Sequence, residues 1–150
     1  MSYSRKKALR YERFELILRF FAYTNNYLGF VHDVNKFLDQ FLLDNMESFD
    51  EDKYKKEFTS MLDFVEKNFC NGFAKTRTAK TTPRVRFEAI SVGVALAIRE
   101  KPQLEVDNVD WIESVEFKEH TTTDASNNQG KLRARVEFVR DKLLMRDTNE

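Results

Sequence analysis

The chain of 150 residues carries 25 basic and 25 acidic side chains, so its net charge is zero. It therefore has no overall charge that would attract it to nucleic acid or lipid. Four glycines and two prolines are too few for a sandwich built on many turns, whereas fourteen phenylalanines favour long helices around an aromatic core. The single cysteine, Cys70, excludes an intramolecular disulfide and suits a reducing compartment. We therefore expect one cytoplasmic domain, residues 1–150.

The charges are segregated along the chain although they cancel overall. Residues 75–86 are basic, and residues 44–52 and 105–119 are acidic. The N-terminus is also basic, through Arg5, Lys6, Lys7, Arg10 and Arg13. Glu12 and Glu15 interrupt the segment that follows, which argues against a signal peptide.

The first predicted helix covers residues 9–24. Glu15 and Arg19 are spaced to pair at i,i+4 on the side away from the apolar face. That face is predicted to consist of Phe14, Ile17, Leu18 and Phe21. Asn25, Asn26 and Gly29 then end the helix.

Two further helices are predicted before residue 72. One covers residues 32–46, and its apolar stripe is Val34, Phe37, Leu38, Phe41 and Leu42. The next begins at a capping box formed by Ser48 and Glu51 and ends at Asn71-Gly72. Residues 73–82 form a connecting loop.

Residues 82–100 are predicted to form a central helix, beginning where Thr82 precedes Pro83. Between Phe87 and Ile98 the only charge is Glu88, and a helix that is apolar on every face belongs inside a fold. Its small residues, Ala89, Gly93, Ala95 and Ala97, would let neighbouring helices approach closely. The apolar run is shorter than the roughly 20 residues that span a bilayer, so we expect no membrane partner.

The rest of the chain predicts two more helices. A short one lies near residues 109–117, with Trp111, Ile112 and Val115, and a polar loop follows at residues 120–128. Ser126 and Gln129 form a second capping box before the last helix. Its stripe is Leu132, Val136, Val139 and Leu143. The predicted fold is therefore all-α: one domain of about six helices packed around a central buried helix at about residues 83–100.

Conventional catalytic motifs are absent: the chain has no phosphate-binding loop, no dinucleotide-binding turn and no metal-binding His or Cys pattern. His120 with Asn127 and Asn128 is only a faint trace of a nuclease motif. Glu113 and Glu116 fit a solvated helix face better than acid–base work, and Cys70 is interpreted as a small core residue. We expect no catalytic residue, no metal and no cofactor.

One pattern of basic residues suggests an anion site. Some cations lie in the opening turns of the central and last helices, where the positive end of the helix dipole is unfavourable for them. Others alternate with threonines in the loop before the central helix. Backbone N–H groups, hydroxyls and guanidinium groups all suit phosphate. The candidate nucleic-acid or phosphate ligands are Lys75, Arg77, Lys80, Arg84, Arg86, Lys131, Arg133 and Arg135. The alternative, which is the usual fate of charge runs, is that these side chains face water or the acidic residues 105–119.

Three segments resemble a known family. They are FELILRFFAYTNNYLGFVHDVNKFLDQF at residues 14–41, FEAISVGVALAI at residues 87–98, and TTTDASNNQGKLRARVEFVRDKLL at residues 121–144. Together they resemble the helical C-terminal portion of the ParB/sulfiredoxin-like nucleotidase domain in GmrSD-type modification-dependent restriction proteins, which act in phage defence. In that family, catalysis belongs to a preceding α/β portion with an Asp-Gly-Gln-Gln-Arg motif, and a histidine-metal nuclease domain usually follows; this sequence contains neither.

The resemblance implies a non-catalytic helical domain that acts by binding. Its partner would be the nucleotidase half of a restriction protein or further copies of the chain, and Arg19 and the basic loop would face that partner. A second hypothesis is a nucleic-acid-binding module that uses residues 75–86 and the start of the last helix. A third, a self-contained enzyme, has no motif in its favour.

Overall fold

The computed structural model describes residues 3–122 and 128–146, and within those ranges the chain is helical with no β-strand. The all-α fold predicted from the sequence is confirmed. Short 3₁₀ turns lie at Tyr27–Gly29 and Asp110–Glu113. The helices are α1 (Tyr3–Asn26), α2 (Val34–Asp44), α3 (Glu51–Asn68), α4 (Arg84–Glu100), α5 (Val115–His120) and α6 (Gln129–Leu143).

Helix α4 is the centre of the bundle, as predicted. Almost every residue from Val85 to Ala97 is buried, because α4 packs against α6 most extensively and against α1 and α3 as well. Gly93 marks the closest approach: a Cβ built there would lie 2.5 Å from Cβ of Val139 and 2.9 Å from the carbonyl oxygen of Val136 on α6. The prediction that small residues permit close helix contact is confirmed at this crossing.

The core around α4 is aromatic. Phe20 and Phe58 join α1 to α3 in an edge-to-face contact with ring centroids 5.3 Å apart. Near the other end of the bundle, Trp111 contacts Phe69, Phe117 and Phe138 in three edge-to-face pairs. Such pairs contribute about 0.5–1.5 kcal/mol each beyond the apolar area that they bury.

Helix α1 begins at Tyr3, six residues before the predicted start, and continues unbroken to Asn26. Every side chain from residue 4 to residue 14 is exposed, and burial begins only after that point. Phe14, predicted to lie on the core face, is 62 % exposed, and Leu42 of α2 is 48 % exposed. These two core predictions were wrong because periodicity identifies an apolar face without showing whether another helix covers it.

Several helix ends differ from the predicted ones by a residue or two. Helix α3 is capped by Asp50, whose side chain accepts from the backbone N–H of Lys53 at 3.1 Å, and not by Ser48. Helix α6 is capped by Asn128, which accepts from the N–H of Gly130 at 2.8 Å. Ser126, the residue predicted for that cap, lies outside the described residues.

The segments between helices correct three predictions. The predicted helix at residues 109–117 is divided into the 3₁₀ turn and α5 by Ser114, whose hydroxyl caps α5. Helix α3 ends at Asn68, three residues before the predicted end at Asn71-Gly72, and Gly72 lies in the turn that follows, at a positive φ of 56° that favours glycine. Cys70, predicted to be buried, is exposed. Among the helices described, none combines the length and apolar character needed to cross a bilayer.

Candidate functional site

Three charged side chains meet in the middle of the bundle, one from each of α1, α4 and α6. Nη1 of Arg19 donates to Oε1 of Glu88 at 2.7 Å, and Nη1 of Arg135 donates to Oε2 of the same carboxylate at 2.7 Å. All three side chains are buried, and Arg135 has no exposed surface at all. One carboxylate therefore bridges two guanidinium groups and links the three helices that carry them.

A second carboxylate completes the charge balance of this network. Glu15, one turn before Arg19 on α1, accepts from Nε of Arg19 at 3.0 Å and from Nη2 at 2.7 Å. Its side chain is partly exposed, so it connects the buried charges with the surface. The i,i+4 pair of Glu15 with Arg19 is confirmed, but Arg19 lies in the core and not on the outer side of α1.

The burial of these charges follows from their register on the helices. Arg135 stands three residues after Leu132 and four before Val139, which places it within the buried stripe of α6. Arg19 has the same relation to Leu16 and Tyr23 on α1. A charged residue within an apolar stripe needs a partner of opposite charge, and Glu88 is the acid within the apolar central helix. The stripe positions of Arg19 and Arg135 are visible in the sequence and are the signal for their burial.

The environment of the network shifts the pKa values of its members. Burial lowers the pKa of Arg135, and the attraction of Glu88 opposes that shift. For Arg19, burial also acts to lower the pKa, but Glu88 and Glu15 favour the cation enough that the net shift is upward. Burial, followed by the nearby charge of Glu88, raises the pKa of Tyr23 to about 12. The network therefore favours ionised arginines and a neutral Tyr23 phenol at neutral pH.

A polar cleft of about 530 Å³ opens beside Arg19 between α1, the segment before α2 and the start of α4. Nη2 of Arg84 lies 4.0 Å from Oε1 of Glu15 there. The lining residues are Glu15, Arg19, His32, Asp33, Val34, Asn35 and Arg84. No hydroxyl or thiol nucleophile is among them, and the cations face carboxylates on the same walls. The cleft is therefore suited to binding a polar group.

The structure divides the eight predicted basic ligands between surface and core. Arg84 opens onto the cleft, close to the predicted partner residue Arg19. Arg86 and Arg135 are buried, at 3 % and 0 % exposure. The remaining five are exposed: Lys75, Arg77, Lys80, Lys131 and Arg133. Both buried arginines are held by contacts within the fold, so the prediction that they form part of an anion-binding surface is corrected.

Arg86 has an unusual environment for a buried cation. Its Nε donates to the carbonyl oxygen of Phe73 at 3.1 Å, and its guanidinium carbon lies 5.2 Å from the centroid of the Phe117 ring. Nη2 is buried without a hydrogen-bond partner. Burial lowers the pKa of Arg86, and the charge of Glu113 opposes that shift. Arg86 thus anchors the loop after α3 to α4 and α5.

Two cations of the opening helical turns stand four residues before an acid and differ in their contacts. Nε of Arg133 donates to Glu137 at 3.0 Å, and Glu137 also accepts from the hydroxyl of Tyr27 at 2.8 Å. Arg84 stands four residues before Glu88, but the two carboxylate oxygens of Glu88 accept from Arg19 and Arg135. Arg84 faces Glu15 instead.

The other candidates from the sequence have structural roles or lie in solvent. Glu113 and Glu116 are both exposed, as expected, and Glu113 pairs with Lys118 at 3.1 Å. His120 packs its ring on Phe138 with centroids 5.0 Å apart. Asn128 caps α6, and Asn127 lies outside the described residues. Within residues 3–122 and 128–146, no group of three His, Cys, Asp or Glu side chains could hold a metal ion.

Two exposed surfaces combine apolar side chains with charge that is mainly of one sign. The first, which we name the basic arm, is residues 4–14 of α1, where Leu9, Tyr11 and Phe14 are exposed among the cations. The second, which we name the acidic corner, is residues 42–52, from the end of α2 to the start of α3. Its exposed apolar side chains are Leu42, Leu43, Met46 and Phe49. Its acids are Asp44, Glu47, Asp50, Glu51 and Asp52.

The chain matches no protein-family model, no curated protein and no solved structure.

Proposed function

We propose that this chain is a non-catalytic helical interaction domain of a GmrSD-type restriction system that defends the bacterial cytoplasm against phage, and that it acts by binding a protein partner. The observation that carries the proposal is the basic arm, a helical segment whose apolar side chains are exposed to solvent. Tyr11 and Phe14 are 64 % and 62 % exposed. Exposed aromatic residues on a helix are typical of anchors that a partner covers.

The remainder of the fold supports a scaffold role. The charged groups that could have formed an active site are used to join helices, since Arg19, Glu88 and Arg135 bind one another in the core. The residues that carry the family resemblance include the buried side chains Phe20, Tyr27 and Leu38. They therefore support a shared helical scaffold, and the partner is inferred from the exposed surface.

The expected partner is the nucleotidase half of the restriction protein, or further copies of this chain. Co-expression of the tagged chain with the product of the neighbouring gene tests this proposal. We expect the two proteins to co-purify, and we expect the double variant Tyr11→Ser/Phe14→Ser to lose the partner. The matched control is Val115→Ser, since Val115 is 73 % exposed on α5 and away from the arm. The proposal would be contradicted if the chain remains monomeric and does not co-purify with the product of the neighbouring gene.

A second candidate function, nucleic-acid binding, is favoured by the loop before α4. Lys75, Arg77 and Lys80 are all exposed, and residues 73–86 contain no acidic side chain. Thr76, Thr78, Thr81 and Thr82 supply hydroxyl donors among these cations. A surface of this kind binds phosphate through charge and releases counterions, so its affinity depends steeply on salt.

The test of this second function uses only exposed cations. We expect the triple variant Lys75→Glu/Arg77→Glu/Lys80→Glu to abolish binding to a short DNA duplex at low salt. For the unmodified chain, the slope of log affinity against log salt should be roughly −0.9 per phosphate neutralised. Arg86 and Arg135 are not substituted in this test, because both side chains are buried and their replacement would perturb the fold. Absence of binding at low salt would exclude this function.

A further inference from the structure

The basic arm and the acidic corner are opposite in charge and similar in form. Both are short exposed segments in which apolar side chains alternate with ionised ones. Within residues 4–14 the cations are Arg5, Lys6, Lys7, Arg10 and Arg13, with Glu12 as the only acid, whereas residues 42–52 contain five acids and no base. Complementary charge around apolar contacts sets the register of protein interfaces and accelerates encounter.

The arm extends along α1 away from the point where that helix meets the side chains that contact the acidic corner. Helix α1 is continuous from Tyr3 to Asn26, and no glycine or proline interrupts it. Its C-terminal half is fixed in the core, where Phe21 contacts Tyr54 with ring centroids 5.1 Å apart. Tyr54 in turn stacks on Phe49 of the acidic corner at 4.6 Å. At a rise of about 1.5 Å per residue, the arm therefore extends from about 10 Å to about 25 Å along α1 from Phe21.

We infer that the arm of one molecule docks on the acidic corner of a second copy, with Tyr11 and Phe14 packing against Leu43 and Met46. This inference rests on the proposed function, because it names the partner that the exposed arm binds. Two reciprocal contacts close a dimer about a twofold axis and cover both exposed surfaces on each chain. The surrounding charges, Arg10 and Arg13 against Asp44 and Glu47, orient the two segments.

A charge exchange tests the inference. The arm variant Arg10→Glu/Arg13→Glu and the corner variant Asp44→Lys/Glu47→Lys should each lower the self-association constant at least tenfold, as measured by sedimentation equilibrium. Substitution at these four positions spares the core, because all four side chains are exposed. An equimolar mixture of the two variants should associate again as a heterodimer. In it, the acidic arm of the first variant meets the basic corner of the second, and the other contact joins an unmodified arm to an unmodified corner.

The matched control for the arm variant is Lys67→Glu/Lys101→Glu, which changes the net charge by the same amount at two exposed positions, on α3 and directly after α4, outside the arm, the acidic corner and the basic loop. It should leave self-association unchanged. Raising the salt concentration should weaken association of the unmodified chain, because exposed charges are screened. A chain that is monomeric at its highest soluble concentration would overturn the inference, as would a dimer that is insensitive to both variants.

The same variants separate this inference from the proposed function. If co-purification with the neighbouring gene's product depends on Tyr11 and Phe14 while the chain alone stays monomeric, the arm is an interaction site and the second copy is not its partner. If the chain dimerises through arm and corner, both statements are supported.

Discussion

The two halves of α1 use arginine in opposite ways. In the C-terminal half, Arg19 is buried and its guanidinium group is held by Glu15 and Glu88 at 2.7–3.0 Å. In the N-terminal half, Arg10 and Arg13 are exposed on a segment that no other part of the fold covers. One continuous helix therefore places a cation in the core and presents others to solvent.

Arginine therefore belongs to the packed core in one half of α1 and, in the proposed function, to partner recognition in the other half. A desolvated ion pair is costly to break, because removal of one partner leaves a buried charge without compensation. An exposed cation contributes little to stability, because water and salt screen it. Substitutions in the two halves should therefore separate folding from binding.

Removal of the charge at Glu88 is expected to have the largest effect. The variant Glu88→Gln leaves the buried Arg19 and Arg135 side by side, and its free energy of unfolding should fall by about 3–5 kcal/mol. Urea denaturation followed by circular dichroism measures the loss. The control is Glu15→Gln, since Glu15 is partly exposed and should cost less than about 1 kcal/mol. Equal losses in both variants would contradict the role of Glu88 as the bridging carboxylate.

A triple substitution tests whether the fold requires the three buried charges of Arg19, Glu88 and Arg135. Arg19→Met/Glu88→Leu/Arg135→Met replaces the network with apolar side chains of similar volume. Such replacements are often neutral or stabilise a protein by about 1–4 kcal/mol. Urea denaturation should therefore give a midpoint equal to or above that of the unmodified chain. A loss comparable to that of Glu88→Gln would mean that the network also determines how the three helices pack.

The crossing of α4 and α6 should be nearly as sensitive. The Cβ of Gly93→Ala would lie 2.5 Å from Val139, so the two helices must separate. Overpacking of this kind costs about 1–3 kcal/mol. Val139→Gly removes that Cβ, so the double variant Gly93→Ala/Val139→Gly should be destabilised by less than the sum of the two single losses, as measured by thermal denaturation. Strict additivity of the two substitutions would contradict this contact.

The buried phenol of Tyr23 should make stability depend on alkaline pH. Because its pKa is raised from the usual 10 to about 12, the native state holds this proton more tightly than the unfolded state does. The associated stability is therefore complete below pH 10 and is lost as the pH rises towards 12. The loss should be on the order of 1 kcal/mol at pH 11.

Urea denaturation at pH 9 and pH 11 measures this dependence, and Tyr23→Phe provides the comparison. The variant should show a shallower decline in stability over that interval. Some decline should remain, because burial also raises the pKa values of Tyr27 and Tyr54. An equally steep decline in Tyr23→Phe would show that the proton of Tyr23 is not responsible.

The sequence predicted the centre of the fold well and its charged interior poorly. The run from Phe87 to Ile98 has one charge, and burial on every face follows directly from that pattern. Arg19 and Arg135 were assigned to the surface because arginine usually lies there, although both stand at stripe positions. Pairing with Glu88 depends on three helices meeting in space, and periodicity within one helix contains no information about that meeting.

The candidate surfaces were only half predictable for a related reason. The segregation of charge along the chain was evident, so the basic and acidic segments were identified. Phe14 and Leu42 were nevertheless predicted to lie in the core. An apolar stripe has the same sequence pattern whether it packs against another helix of the same chain or against a different molecule. Tertiary packing against α1 begins at residue 15, and no local signal in the sequence marks that point.

The smallest effect on stability is expected from the arm, where Tyr11→Ser/Phe14→Ser should alter the free energy of unfolding by no more than about 0.5 kcal/mol in the dissociated chain. These side chains contact solvent and not the core, so their removal exposes no buried surface. Denaturation at a concentration low enough to dissociate complexes measures the stability, and sedimentation equilibrium measures association. The substitution should abolish association while stability is retained. A loss of several kcal/mol would instead show that the arm packs on its own domain, and the contrast between the two halves of α1 would then fail.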